Sequence, residues 1–303
     1  MRFLKALVLA LLVAVVAGCV WYGITYYRQR FVRSNGDLVK LLPPGDETVF
    51  FADLGAIRHA GLLRMLAAVK PAPVAEYAEF MQRTQFDFAR DLDALAGAYD
   101  GDRLYLVGRG HFDWDKLQAY AVAHGGTCGA DFCQEPGSTA GKWANFVRVQ
   151  PDVIALAVSS DRTAADVLRP PGRRVQGGLG DEPGGPIWVK LSRALRRNPS
   201  TLPLPLQMFA ISVQSADEIT LAVQPVKDGA FEIRLLGDFA NAAAADTAQA
   251  QLEIQTKNLQ RVLGDEGQKN DLGAVLMGGK FYTVGTKLEG SWPVRKELVA
   301  VLE

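Results

Sequence analysis

The sequence has 303 residues, 33 basic and 33 acidic side chains, 49% hydrophobic and 22% charged residues. That balance excludes a disordered chain, which is poor in apolar residues and carries a large net charge. It also excludes a basic nucleic-acid binder: the five basic residues through Arg33 leave a remainder of about −5, with no electrostatic footprint for nucleic acid.

Ala6 to Tyr27 contains no charged side chain, and Arg2, Lys5, Arg28, Arg30 and Arg33 flank it. At about 1.5 Å of rise per residue, such a stretch spans roughly 33 Å, enough to cross a hydrocarbon core of about 30 Å. Residues 1–33 are therefore expected to be an N-terminal signal anchor, a transmembrane helix contacting membrane lipid. Trp21, Tyr22, Tyr26 and Tyr27 lie near its far end, where amphipathic rings favour the headgroup region. Two other readings stay open. Val16-Ala17-Gly18-Cys19 resembles the lipobox of bacterial lipoproteins, which makes Cys19 a candidate lipidation site, and a cleaved signal peptide is the third.

Cys128 and Cys133 are the only cysteines beyond the anchor and lie in a Gly-rich turn. A loop that short brings two sulfurs within bridging distance, so a disulfide and an oxidising compartment are expected. The histidines and cysteines nearby do not make up the four ligands of a zinc site.

Residues 34–46, with Ser34-Asn35-Gly36 and Pro43-Pro44-Gly45, read as a tether. A strand follows over 48–52. Asp53 caps a helix with the apolar stripe Ile57, Leu62, Met65, Leu66 and Val69, and a second helix runs from about Pro73 to Gln82. Asp100-Gly101-Asp102 joins strands 92–99 and 103–110 in a hairpin. Asp113 and Asp115 start a helix to about His124; strands 143–149 and 153–159 and a helix over 161–169 complete a first α+β half, residues 47–170.

Residues 171–185 are Gly/Pro-rich without hydrophobic period and read as a linker. The second half, 186–303, is expected to retrace the first: a strand over 186–191 and a short helical stretch, strands over 208–213, 218–224 and 231–236, and a long helix over 241–263. A strand over 280–288 and a helix from Pro293 end the chain. The expected fold is α+β, a transmembrane helix followed by two related halves, each an antiparallel sheet with helices on one face.

Reactive constellations are sparse. His59, His111 and His124 show no metal-binding spacing, and no G-x-S-x-G elbow is present. The glycines over 177–185 lack the lysine of a phosphate loop. Asp87, Asp91, Asp93, Asp113 and Asp115 lack calcium-loop spacing and read as caps and turn residues. No catalytic residue, metal or cofactor is expected. Arg193, Arg196 and Arg197 form a local basic patch, and Tyr77, Phe80, Phe86 and Phe88 an aromatic cluster; the three arginines with Phe86 and Phe88 are the candidate binding surface.

The stretch Gln85-Phe86-Asp87-Phe88-Ala89-Arg90-Asp91-Leu92-Asp93, leading into a strand hairpin, resembles bacterial single-pass membrane-anchored envelope proteins of unknown function with a repetitive α+β ectodomain. The resemblance implies location at the bacterial inner membrane with the ectodomain in the periplasm, or attachment as a lipoprotein. The expected function is a non-enzymatic protein that binds or scaffolds another envelope component, with an envelope protein as partner. The alternative is a lipid- or peptide-binding module whose ligand lies between the halves; the third reading is an enzyme with an unrecognised site.

Overall fold

The computed structural model describes residue 32 and residues 34–60, 75–169, 184–201, 204–226, 230–263 and 275–294. The anchor apart from Val32, with Cys19, and most of the linker lie outside the described residues. So do residues 61–74, which hold the rest of the first helical stripe, and residues 295–303 of the last expected helix. Among the described residues no helix is long and apolar enough to cross a membrane.

Twelve strands among the described residues form one antiparallel sheet. The first seven are β1 (Thr48–Asp53), β2 (Leu92–Tyr99), β3 (Leu104–Gly110), β4 (Thr127–Cys128), β5 (Phe132–Pro136), β6 (Trp143–Gln150) and β7 (Val153–Ser159). The other five are β8 (Ile187–Lys190), β9 (Glu218–Pro225), β10 (Phe231–Asp238), β11 (Lys280–Val284) and β12 (Lys287–Val294). Their spatial order is β11-β12-β10-β9-β8-β1-β2-β3-β7-β6-β5-β4. Instead of a separate sheet in each half, the strands run on through an antiparallel β1–β8 pair, with Phe51 opposite Trp188. Those rings stack at 5.9 Å and are both buried, so the junction is itself core.

Alternation along the strands divides the side chains between two faces. On one face Val49, Phe51, Ala96, Val107, Ala155, Ala157 and Trp188 form a core. It is covered by helix α1 (Asn35–Lys40) through Leu38 and Val39, and by a 3-10 turn, Ala164–Leu168. Rows of alanine on β2 and β7 hold the surface low, which lets these short elements approach closely.

The expected tether is therefore part of the fold. Ser34 accepts from the Asp37 N–H while the Asp37 carboxylate accepts from the Ser34 N–H, a reciprocal cap. Leu38, Val39 and Leu42 are buried behind it. Three apolar residues within two turns sufficed because an existing sheet face completes the burial.

The opposite face carries the remaining helices: α2 (Leu54–His59), α3 (Ala75–Thr84), α4 (Phe88–Asp91), α5 (Trp114–Ala123), α6 (Arg193–Arg197), α7 (Leu204–Ser212) and α8 (Ala242–Leu263). Ala245, Ala248 and Leu252 of α8 meet Ile219, Leu235, Phe281, Leu288 and Trp292, with Phe209 and Val213 beside them. Trp114, Leu117 and Ala121 of α5, at helical spacing, meet Cys133 and Phe146. Leu54 and Ile57 of α2 meet Leu92 and Phe231.

Four expected elements differ. Residues 208–213 are not a strand; all but Val213 lie in α7, which buries Phe209 and Ala210 and exposes Ile211. A short apolar run does not separate strand from helix by period. The last strand is a hairpin, β11 and β12, turned at Gly285 with φ 62°, and Pro293 pairs within β12 opposite Glu232 instead of opening a helix. The helix expected over 161–169 is the 3-10 turn Ala164–Leu168.

Candidate functional site

The strand directions put the C-terminal ends of β1, β3 and β6 and the N-terminal ends of β2 and β7 at the same end of the sheet. An open cleft of about 690 Å³ lies there. Its lining comes from the end of β3 and the segment behind it (Gly110, His111, Phe112, Asp113), the first turn of α5 (Trp114, Asp115), Arg148 on β6, Pro151 and Asp152 in the following turn, and Ile154 on β7.

Local sequence explains the arrangement. Asp113 accepts from the Lys116 N–H and so fixes the start of α5. Gly110 leaves room for the Asp91 carbonyl, where a Cβ would collide; the same carbonyl accepts from the His111 N–H at 2.8 Å. Trp114 is buried, donates its indole N–H to the Ala130 carbonyl at 2.9 Å and meets Phe146 edge-on. The Arg148 guanidinium lies 5.4 Å from the Trp114 ring centroid and pairs with no carboxylate among the described residues. The site offers an aromatic floor, a stacked cation and the carboxylates of Asp115 and Asp152. Among the described residues no group of three His, Cys, Asp or Glu is placed to hold a metal ion.

An aromatic ridge runs outward from the cleft. Phe112 stacks on Phe86 at 5.1 Å, Phe86 meets Phe80 at 6.2 Å, Phe80 meets Tyr77 at 6.5 Å, and Tyr77 meets Phe88 at 5.7 Å. Phe86 is half-buried within it, whereas Phe88 is 47% exposed. The loop is fixed: Gln85 takes φ 59°, its carbonyl accepts from Arg90 and its side-chain oxygen from Lys116. Asp87 caps α4. Arg90 grips Asp91 through two N–H donors, which holds the Asp91 carboxyl below the usual carboxylate range.

The arginines do not join this surface. Arg193 and Arg197 are exposed at the opposite end of the sheet, where β1 begins and β8 ends. Arg196 is a core residue, 2% exposed, donating to the carbonyls of Ala216 and Asp217. The basic patch expected of three arginines is thus two exposed ones around a buried one, because helical spacing on the five-residue α6 turns Arg196 inward.

Cys128 and Cys133 face each other across β4 and β5 and are joined by a disulfide. Such bonds belong to non-cytoplasmic compartments. Close by, His124 donates from Nδ1 to the Tyr120 carbonyl at 2.8 Å and sits 3.6 Å from Glu79; burial pushes up the carboxyl of the half-buried Glu135, against a smaller electrostatic pull from His124. His59 bonds the Gly55 carbonyl, and only His111 reaches the cleft. Trp114, Arg148, Asp152 and Ile154 carried no mark in the sequence; alternation on β6 and β7 could have put Arg148 and Ile154 on one face, but not opposite Trp114.

No family model matches the chain, and no curated protein matches it. Among solved structures, crystal form I of TP0453 is similar at TM-score 0.48 and 10% identity, over 89% of this chain and 98% of that one. Crystal form III gives 0.46 at 12% identity, over 88% and 97%, and crystal form IV 0.42 at 10%, over 88% and 96%.

Proposed function

We propose that the chain is a non-enzymatic envelope protein, tethered to the bacterial inner membrane through residues 1–33 with its folded part in the periplasm, that binds another envelope component in the cleft at Trp114. The cleft itself is the observation that supports this. Its volume of about 690 Å³ falls within the roughly 300–1,000 Å³ of ligand sites, and an aromatic floor with a few placed polar groups is the usual lining of such sites. The disulfide supports the compartment. The uncharged run over 6–27 supports the anchor over lipidation at Cys19.

The same cleft favours, as a second reading, a lipid- or peptide-binding module. Its ligand would then lie within the first half, because the junction between the halves is packed on both faces. The relation between the halves is part of the proposal. Its support is that β1-β2-β3-β7-β6 and β8-β9-β10-β12-β11 follow the same order of pairing, each with a helix between its third strand and its final hairpin.

The test is purification of the full-length protein from its own membranes in mild detergent, beside an Arg148→Glu, Asp152→Lys variant. A stoichiometric protein that is lost from the variant supports the binding reading, and a retained lipid or peptide lost in the same way supports the second. Identical material from both proteins removes the cleft from the function. Arginine at Leu12 and Val15 should cost about 5 kcal/mol of insertion and release the chain from membranes; continued fractionation with membranes would refute the anchor.

A further inference from the structure

Val32 is buried in the core under α1, and two residues later Ser34 begins that helix. The Ser34 carbonyl accepts from Arg109 at 2.9 Å, and the Asn35 side chain donates to Asp53 at 2.9 Å. Arg109 and Asp53 stand at the C-terminal ends of β3 and β1, so the chain joins the fold at the sheet end that bears the cleft. No slack remains. From Tyr27 to Val32 a fully extended chain reaches about 17 Å. The headgroup layer of one leaflet accounts for roughly 5–8 Å of it.

We propose that this sheet end rests on the membrane surface, with the loop at Phe88 in contact with lipid and the cleft opening toward the headgroups. The inference rests on the anchor reading above. Phe88 and Val226, 47% and 42% exposed, project at this end. The carboxylates nearest the loop are capped or paired, Asp87 with the Ala89 N–H, Asp91 with Arg90, Asp93 with Arg58 and Asp113 with Lys116, while Asp115 and Asp152 share the cleft with Arg148. That removes much of their repulsion from anionic lipid. The Asp100–Asp102 hairpin, with Arg193 and Arg197, lies about 25 Å away at the far end, a strand of eight residues at about 3.3 Å each. A cleft partner must then be a lipid headgroup or a component lying close to the bilayer.

The full-length protein is reconstituted in vesicles of phosphatidylethanolamine and phosphatidylglycerol in which some headgroups carry a photo-crosslinker, and adducts are mapped by mass spectrometry. Adducts over residues 85–91 are expected in about tenfold excess over residues 99–103. Phe88→Asp should reduce them severalfold while flotation with the vesicles is unchanged. Flotation with equal adducts at both ends, or with more at 99–103, overturns this inference and leaves the anchor standing. A chain that fails to float overturns both.

Discussion

Arg196 donates to two backbone carbonyls from within the core, so its replacement strips a donor from the buried Ala216 carbonyl and from the Asp217 carbonyl beside it, and opens a void. Arg196→Ala should cost about 3 kcal/mol by denaturant unfolding, whereas Arg193→Ala should stay within roughly 0.5 kcal/mol. Glu135 is the second residue with a marked environment: burial holds its carboxyl above the ordinary value, against a smaller pull from His124, and its Oε2 has no hydrogen-bond partner among the described residues. A carboxyl raised in the folded state stabilises at low pH and loses that contribution as pH rises through its folded value. Glu135→Gln should therefore raise the melting temperature at neutral pH by roughly 2 °C. The gain should vanish in acid, where the wild-type carboxyl is protonated in both states; an equal gain at all pH values would refute the desolvation account.

At the scale of elements, α1 decides whether residues 34–46 are a spacer or part of the fold. Leu38 is fully buried. Leu38→Ala should cost about 3 kcal/mol, the loss expected for a large-to-small change in a packed core; a spacer would register nothing. The sequence held both halves of this signal, the reciprocal cap at Ser34 and Asp37 and the apolar Leu38, Val39 and Leu42. It was masked by Pro43-Pro44-Gly45, which ends the helix and reads as linker chemistry. The segment 208–213 failed differently: its apolar run fits either period, and only the position of the sheet selects helix.

The whole molecule depends on one strand pair. β1 opens the first group of strands and β8 the second, and their pairing joins the two groups, with Phe51 and Trp188 filling the face beneath α1 and the alanine rows. Trp188→Ala should cost about 3–5 kcal/mol. Unfolding followed by probes in residues 48–159 and in residues 187–294 should give coincident transitions in wild type and variant alike. Separate transitions in the wild type would mean that each half holds its own core.

By itself the sequence determined what local chemistry dictates. Asp100-Gly101-Asp102 set a hairpin, Asp53 and Asp113 capped helices, the periodic alanines and leucines set α8, and five residues of separation let Cys128 meet Cys133. Each of these depends on neighbours within a few residues. Tertiary structure decided the rest: that the strands make one sheet, that Arg196 is core while Phe88 is exposed, and that Trp114 and Arg148 close a cleft with Asp152. Those outcomes turn on which faces meet across the sheet, and side chains more than thirty positions apart leave no periodic trace of that meeting.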